Sequence, residues 1–221
     1  MRSFGILSWI QDLLMAGEAW WFDASRHIET AGTAALNELT ILGNASDSSS
    51  YLPVRPRRAR QALRALPIND HSSYTFVDVG SGKGRMLMLA AEYPFRKIVG
   101  IEFAAELHDQ AIKNIAAYRS HKRTSREIES LCMNALDFPI PDESLVLYFF
   151  NPFGLVTMQL FLRRLDRSLE RSPRDVLVVT YFQEFEALFA ATRYLRLYRT
   201  ESRCHIYRST SATEASPGVT H

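Results

Sequence analysis

Asp78, Gly80, Gly82 and Gly84 lie in one run, Thr75-Phe-Val-Asp-Val-Gly-Ser-Gly-Lys-Gly-Arg-Met-Leu-Met-Leu89, which passes from an apolar strand to an apolar helix. Alternate glycines at such a turn let a backbone approach a ligand closely, because no Cβ intervenes and positive φ is open to them. The helix that follows points its amide-rich N-terminus at the same place, which suits a nucleotide cofactor. Spacing narrows the choice. The dinucleotide fingerprint is G-x-G-x-x-G and the phosphate loop is G-x-x-x-x-G-K-[ST], whereas this loop reads G-x-G-x-G and Lys83 is followed by glycine. Ser81, inside the loop, is counted among its ligand-facing residues.

A second strand, Lys97-Ile-Val-Gly-Ile101, ends in Glu102, 18 residues past Gly84. An acid at this distance accepts hydrogen bonds from ribose hydroxyls, with Phe103 beside it. This feature alone serves NAD as well as any other adenosyl cofactor.

An acid two residues before G-x-G-x-G resembles motif I of the class I S-adenosylmethionine (SAM) methyltransferases. The resemblance implies SAM as cofactor, with Asp78 seating its ammonium end, Gly80, Ser81, Gly82 and Gly84 forming the cradle, and Glu102 and Phe103 at the ribose. It further implies that Asp137, in Asn134-Ala-Leu-Asp137-Phe138 after a third strand, contacts the adenine amino group, while Ala135 or Leu136 supplies a ring-reading amide. At the end of a fourth strand, Asn151-Pro152-Phe153 is similar to the Asn/Asp-Pro-Pro-aromatic loop of amine and amide methyltransferases. There the side-chain carbonyl and the following backbone carbonyl aim a nitrogen lone pair at the sulfonium methyl. Phe153 stands where that loop has its second proline, which looks more like the Asn-containing loops of seven-strand lysine methyltransferases. In this comparison Phe153 packs against the acceptor or offers a cation–π face to the sulfonium. A bacterial-type group combines D-x-G-S-G-K-G-R, E-Y-P-F and N-P-F, here Asp78–Arg85, Glu92–Phe95 and Asn151–Phe153. Thr30-Ala-Gly32 and Tyr51-x-Pro53 look like that group's cap segment, which makes Tyr51 a lid residue over SAM. The likeness covers about residues 51–208 and names no acceptor.

The elements that must position these residues alternate strand and helix from Tyr74 onward, and alternation means a parallel sheet covered on both faces. The expected helices are Arg85–Tyr93, Ala104–Arg119, Leu155–Leu169 and Glu184–Thr192; a strand at Val176–Tyr181 and two closing strands, Leu195–Thr200 and Arg203–Tyr207, complete the pattern. The expected fold is α/β, a doubly wound and mostly parallel seven-stranded sheet with an antiparallel closing hairpin and an N-terminal helical cap. Residues 1–70 are read as the cap or lid, 71–208 as the SAM-binding domain and 209–221 as a disordered tail. Leu7, Ile10 and Leu14 recur at helical spacing, Trp20-Trp21-Phe22 reads as core, and Arg55, Arg57, Arg58, Arg60 and Arg64 read as a solvated helix face.

At 221 residues, with 47% hydrophobic and 23% charged residues, the chain can bury one full core. A net charge of +2 is too small to argue for nucleic acid or an acidic membrane by itself, and no nucleic-acid partner is expected. Cys132 and Cys204 read as reduced core residues, with no metal-site spacing around them, which points to a cytoplasmic protein. No run of 18 apolar residues spans a membrane, although the first helix could touch one peripherally. The expected activity is N-methylation of an amine on a protein lysine or a small molecule. An NAD-dependent oxidoreductase and a non-catalytic scaffold are the rival readings.

Overall fold

The computed structural model describes residues 17–35, 39–41, 50–125, 127–181, 183–201 and 203–210. Five short runs rich in β-branched and aromatic residues form parallel strands: β1 (Thr75–Val79), β2 (Lys97–Glu102), β3 (Ile128–Cys132), β4 (Leu145–Phe149) and β5 (Val176–Thr180). β1, β4 and β5 are buried at every position, as strands covered on both faces must be. The chain then doubles back through β6 (Leu195–Glu201) and β7 (Cys204–Ser209), and β7 enters antiparallel between β5 and β6. The sheet order is β3-β2-β1-β4-β5-β7-β6. This is the mostly parallel seven-stranded sheet with a closing hairpin that the sequence predicts.

Among the described residues, α-helices cover it: α1 (residues 17–24), α2 (Pro56–Ala65), α3 (Arg85–Ala90), α4 (Ala105–Ala117), α5 (Leu155–Arg171) and α6 (Glu186–Ala190). On one face Phe22, Ala62, Leu63 and Leu87 close over Phe76, Val146 and Tyr148. On the other, Phe161 and Leu165 of α5 pack with Val77, Leu147 and Phe149. Each such fully buried Leu or Phe contributes roughly 2 kcal/mol by leaving water. Strand order reverses between β1 and β4, so the loops after these two strands part there and leave a crevice at their carboxyl ends.

Several expectations change in detail. The described part of the cap is less than half helical: its described residues between α1 and α2 are not helical, and they include an isolated antiparallel bridge between Ala34 and Tyr51. Helix α3 stops at Ala90 because its end tightens, with Glu92 N–H bonded to Leu89 O and Tyr93 N–H to Ala90 O, just before Pro94. Trp20 and Trp21 are 69% and 64% exposed while Phe22 is buried. Consecutive helical residues point about 100° apart, so three in a row cannot all face one core. Arg60 is no solvated residue, since it donates twice to Glu92 at 2.9 and 2.8 Å. Cys132 is exposed, because it ends the edge strand β3, and only Cys204 is buried. Ser209 belongs to β7 and Thr210 donates to Tyr194 O at 2.7 Å, so order extends past residue 208. The predicted first helix around Leu7–Leu14 and the tail beyond 210 lie outside the described residues. Among those described, no helix is long and apolar enough to cross a membrane.

Candidate active site

The glycine loop is built as its composition requires. Gly80, Gly82 and Gly84 have φ of 79°, 53° and 84°, the left-handed region that side chains avoid. The amides of Gly80 and Ser81 donate to Ile101 O of β2, at 2.9 and 3.0 Å, which pins the loop across the strand end. Gly84 is the N-cap of α3. The space above the first two glycines is held partly by protein. A Cβ on Gly80 would lie 2.5 Å from Cβ of Pro152, and one on Gly82 would lie 2.1 Å from the Tyr51 ring. The loop therefore accommodates Pro152 after β4 and the Tyr51 ring closely, besides any ligand.

Two acids face this loop from β1 and β2. Asp78 is 3% exposed and Glu102 4%. The Glu102 carboxylate accepts from the amides of Gly82 (2.7 Å) and Ala104 (2.9 Å), so it clamps the loop as well as facing the crevice. Burial pushes the Asp78 carboxyl well above the usual range, and the charge of Glu102 adds to the effect. Burial also raises Glu102, opposed by the amides bonded to it. Among the described residues neither carboxylate has a cation within salt-bridge distance, and the Asp78 carboxylate has no hydrogen-bond donor. Asp78 therefore keeps its proton more readily than an ordinary aspartate while Glu102 is held by amides, and a cation placed beside them would favour the charged form of both.

Across the crevice, β4 ends in Phe150-Asn151-Pro152. Asn151 has φ of 52°, a left-handed conformation that Asn tolerates better than most residues and that clusters at functional sites. Asp78 and Tyr148 are register partners on neighbouring strands, so both project on the α3 side of the sheet, and both line the crevice.

The crevice brings together Tyr51, Asp78, Gly80, Ser81, Glu102, Phe103, Asn151 and Pro152. It does not bring in the rest of the predicted set. Gly82 lies beneath Tyr51, and Gly84 packs near Ala111. Phe153 is 6% exposed and turns to the opposite face, edge-on to Phe149 with ring centroids 6.1 Å apart, because the left-handed Asn151 redirects the chain. It therefore packs in the core, and offers no face to the crevice. Asp137 is exposed and off the crevice wall, and the Leu136 amide offered to an adenine ring donates instead to Asn134 Oδ1 at 2.8 Å. Ala135 keeps its carbonyl on Arg164 at 3.3 Å. No base is supplied by His27, Glu29 or His108, none of which lines the crevice: His27 and Glu29 are exposed and His108 Nδ1 bonds Ser130 Oγ at 2.9 Å.

Sequence reasoning missed Lys83 and Arg85. Arg85 lines the crevice and Lys83 lies beside Tyr51, but both side chains turn to the cap: Lys83 Nζ donates to Ala31 O at 3.2 Å and Arg85 Nε to Thr30 Oγ1 at 2.6 Å. The G-K-G-R spelling was the only available signal. No group of three or more potential metal ligands occurs among the described residues.

Residues 72–153 match the family described as "Putative methyltransferase". No curated protein sequence matches the chain. Among solved structures, a predicted N6-adenine-specific DNA methylase from Listeria monocytogenes covers 76% of this chain and 52% of its own, at 19% identity and a TM-score of 0.51. The chain thus spans about half the length of that protein. An RNA methyltransferase from Salinibacter ruber, in complex with S-adenosyl-L-homocysteine, covers 72% of this chain and 92% of its own at 20% identity and a TM-score of 0.47. The ribosomal protein L11 methylase of Lactobacillus delbrueckii subsp. bulgaricus covers 69% and 76%, at 15% identity and a TM-score of 0.46. The architecture is a Rossmann-like methyltransferase fold. At such identities the likeness extends to the fold, and it lends no support to the expectation that nucleic acid is not a partner.

Proposed function

We propose that the crevice binds S-adenosyl-L-methionine and methylates a nitrogen of an amine-bearing acceptor. The observation that carries this reading is the pair of buried acids, Asp78 and Glu102, facing a glycine cradle with no cation beside them among the described residues. A ligand with a positive sulfonium and ammonium at one end and ribose hydroxyls in the middle relieves that imbalance. A dinucleotide would bring a pyrophosphate to the same loop, where the Glu102 charge disfavours it, Asp78 gains nothing by ionising, and the Tyr51 ring already lies against Gly82.

When bound, SAM supplies an electrophilic methyl group. The chain's own residues hold and aim. Asp78 takes the ammonium end, and Glu102 accepts the ribose hydroxyls while keeping the loop in register through Gly82. The Asn151 side-chain carbonyl and the backbone carbonyl beside Pro152 accept hydrogen bonds from the acceptor nitrogen. Its lone pair is thereby directed at the methyl carbon, and orientation of this kind supplies most of the rate in an in-line displacement. An acceptor that arrives as the free amine needs no general base. Acceptor identity, whether on protein, nucleic acid or a small molecule, is set by the walls around Phe150, Tyr51 and Leu52.

The test is methyl-labelled SAM incubated with the protein and a lysate split into protein, nucleic-acid and small-molecule fractions. Label should enter one fraction as an N-methyl group. Asn151→Gly, which keeps the left-handed backbone and deletes the side chain, should lower transfer about 100-fold with SAM binding nearly intact. Label on oxygen or carbon, or full transfer by the Gly variant, contradicts the assignment.

A further inference from the structure

Resting on the SAM reading of the crevice, we infer that Arg85 and Asp23 are positioning residues that hold the Tyr51 ring in place as a wall of the cofactor site. Arg85 follows the glycine loop and would be expected to reach for a ligand. It is instead 3% exposed and spreads its guanidinium over the cap. Nε donates to Thr30 Oγ1 at 2.6 Å, Nη1 donates to Val54 O at 3.2 Å, and Nη2 stands 3.7 Å from Asp23 Oδ1.

The hydrogen-bond directions in this cluster are fixed by chemistry. Thr30 Oγ1 accepts from Arg85, so its single proton goes to Asp23 Oδ1 at 2.6 Å. Asp23 Oδ2 accepts the amides of Thr30 (2.6 Å) and Ala31 (2.7 Å). Thr30, fully buried, then presents its carbonyl to the Tyr51 hydroxyl, which donates to it at 2.8 Å. Ala34 and Tyr51 exchange backbone bonds, and the Tyr51 ring comes to rest against Gly82, beside the acids.

The chain of contacts therefore runs from the first turn of α3 through Arg85, Thr30 and Asp23 to Tyr51, and returns to the glycine loop from above. Its effect is to set the distance between the loop and the wall opposite it. A planar fork donates to Thr30 and Val54 while its second amino group pairs with the Asp23 charge at 3.7 Å without a hydrogen bond, a spread a lysine ammonium cannot cover. A cluster whose sole role was stability would not need to end on a ring that lines the crevice.

A double-mutant cycle on binding of S-adenosyl-L-homocysteine, read by calorimetry, tests this. Wild type, Arg85→Lys, Tyr51→Ala and the double variant are compared, with circular-dichroism melting to confirm folding, and Asp23→Asn with Tyr51→Phe forms a milder second cycle. Tyr51→Ala should weaken binding about 10-fold, and Arg85→Lys by several-fold. The double variant should bind no more weakly than Tyr51→Ala alone, because both changes remove the same wall. Losses that multiply independently, or variants that bind like wild type, overturn the positioning role and leave the SAM reading standing. A wild-type protein that does not bind the compound overturns both.

Discussion

Asp78 is where the site's electrostatics become measurable. Its carboxyl is raised by burial and by Glu102, whereas a cationic ligand favours the charged form, so binding must expel the proton. Affinity for SAM should therefore fall as pH drops through that raised value, at a higher pH than an ordinary aspartate would give, and level off above it. Asp78→Asn should bind weakly with a flatter profile, and calorimetry over a series of pH values decides. The acids were legible from sequence because strand ends place them: an apolar run followed by an acid and glycines fixes which edge they occupy. Lys83 and Arg85 were not legible as cap tethers. Their partners, Ala31 and Thr30, lie more than 50 residues upstream, and nothing local shows which way a long side chain turns.

At the scale of elements, the crevice depends on how the loops after β1 and β4 fit together. Gly80 lacks the Cβ that would strike Pro152, so Gly80→Ala should push the Asn151 loop outward and incur a left-handed backbone as well. It should cost about 1–3 kcal/mol of stability by urea denaturation and depress methyl transfer more than SAM binding. The strand–helix alternation and the glycine turn were readable in the sequence, since buried parallel strands carry continuous apolar runs. The insertion of β7 between β5 and β6 is a matter of pairing and leaves no local trace. Phe153 illustrates the same limit, because a motif position predicts a site residue while one left-handed residue before it sends the ring into the opposite core.

The whole molecule is joined at Glu92, whose carboxylate takes Arg26 of the segment after α1 at 3.1 Å and Arg60 of α2 at 2.8 Å. Burial pushes this carboxyl up, but the bonds and charges of Arg60 and Arg26 outweigh it and hold it below the usual value. The stability it contributes is thus complete above the ordinary carboxylate range and is lost as pH falls through the lowered value. Glu92→Ala leaves a buried arginine unpaired and should cost about 3–5 kcal/mol in denaturant titrations near neutral pH, with the difference from wild type shrinking below about pH 4. The E-Y-P-F spelling marked this residue without revealing that it ties the cap to the sheet. The cap in turn carries Tyr51 to the glycine loop, and the ligand that loop selects is the point on which the account rests. Calorimetric titration of the wild-type protein with SAM and, separately, with NADH measures it. The account predicts one-to-one binding of SAM and none of NADH, and selective binding of NADH would contradict it.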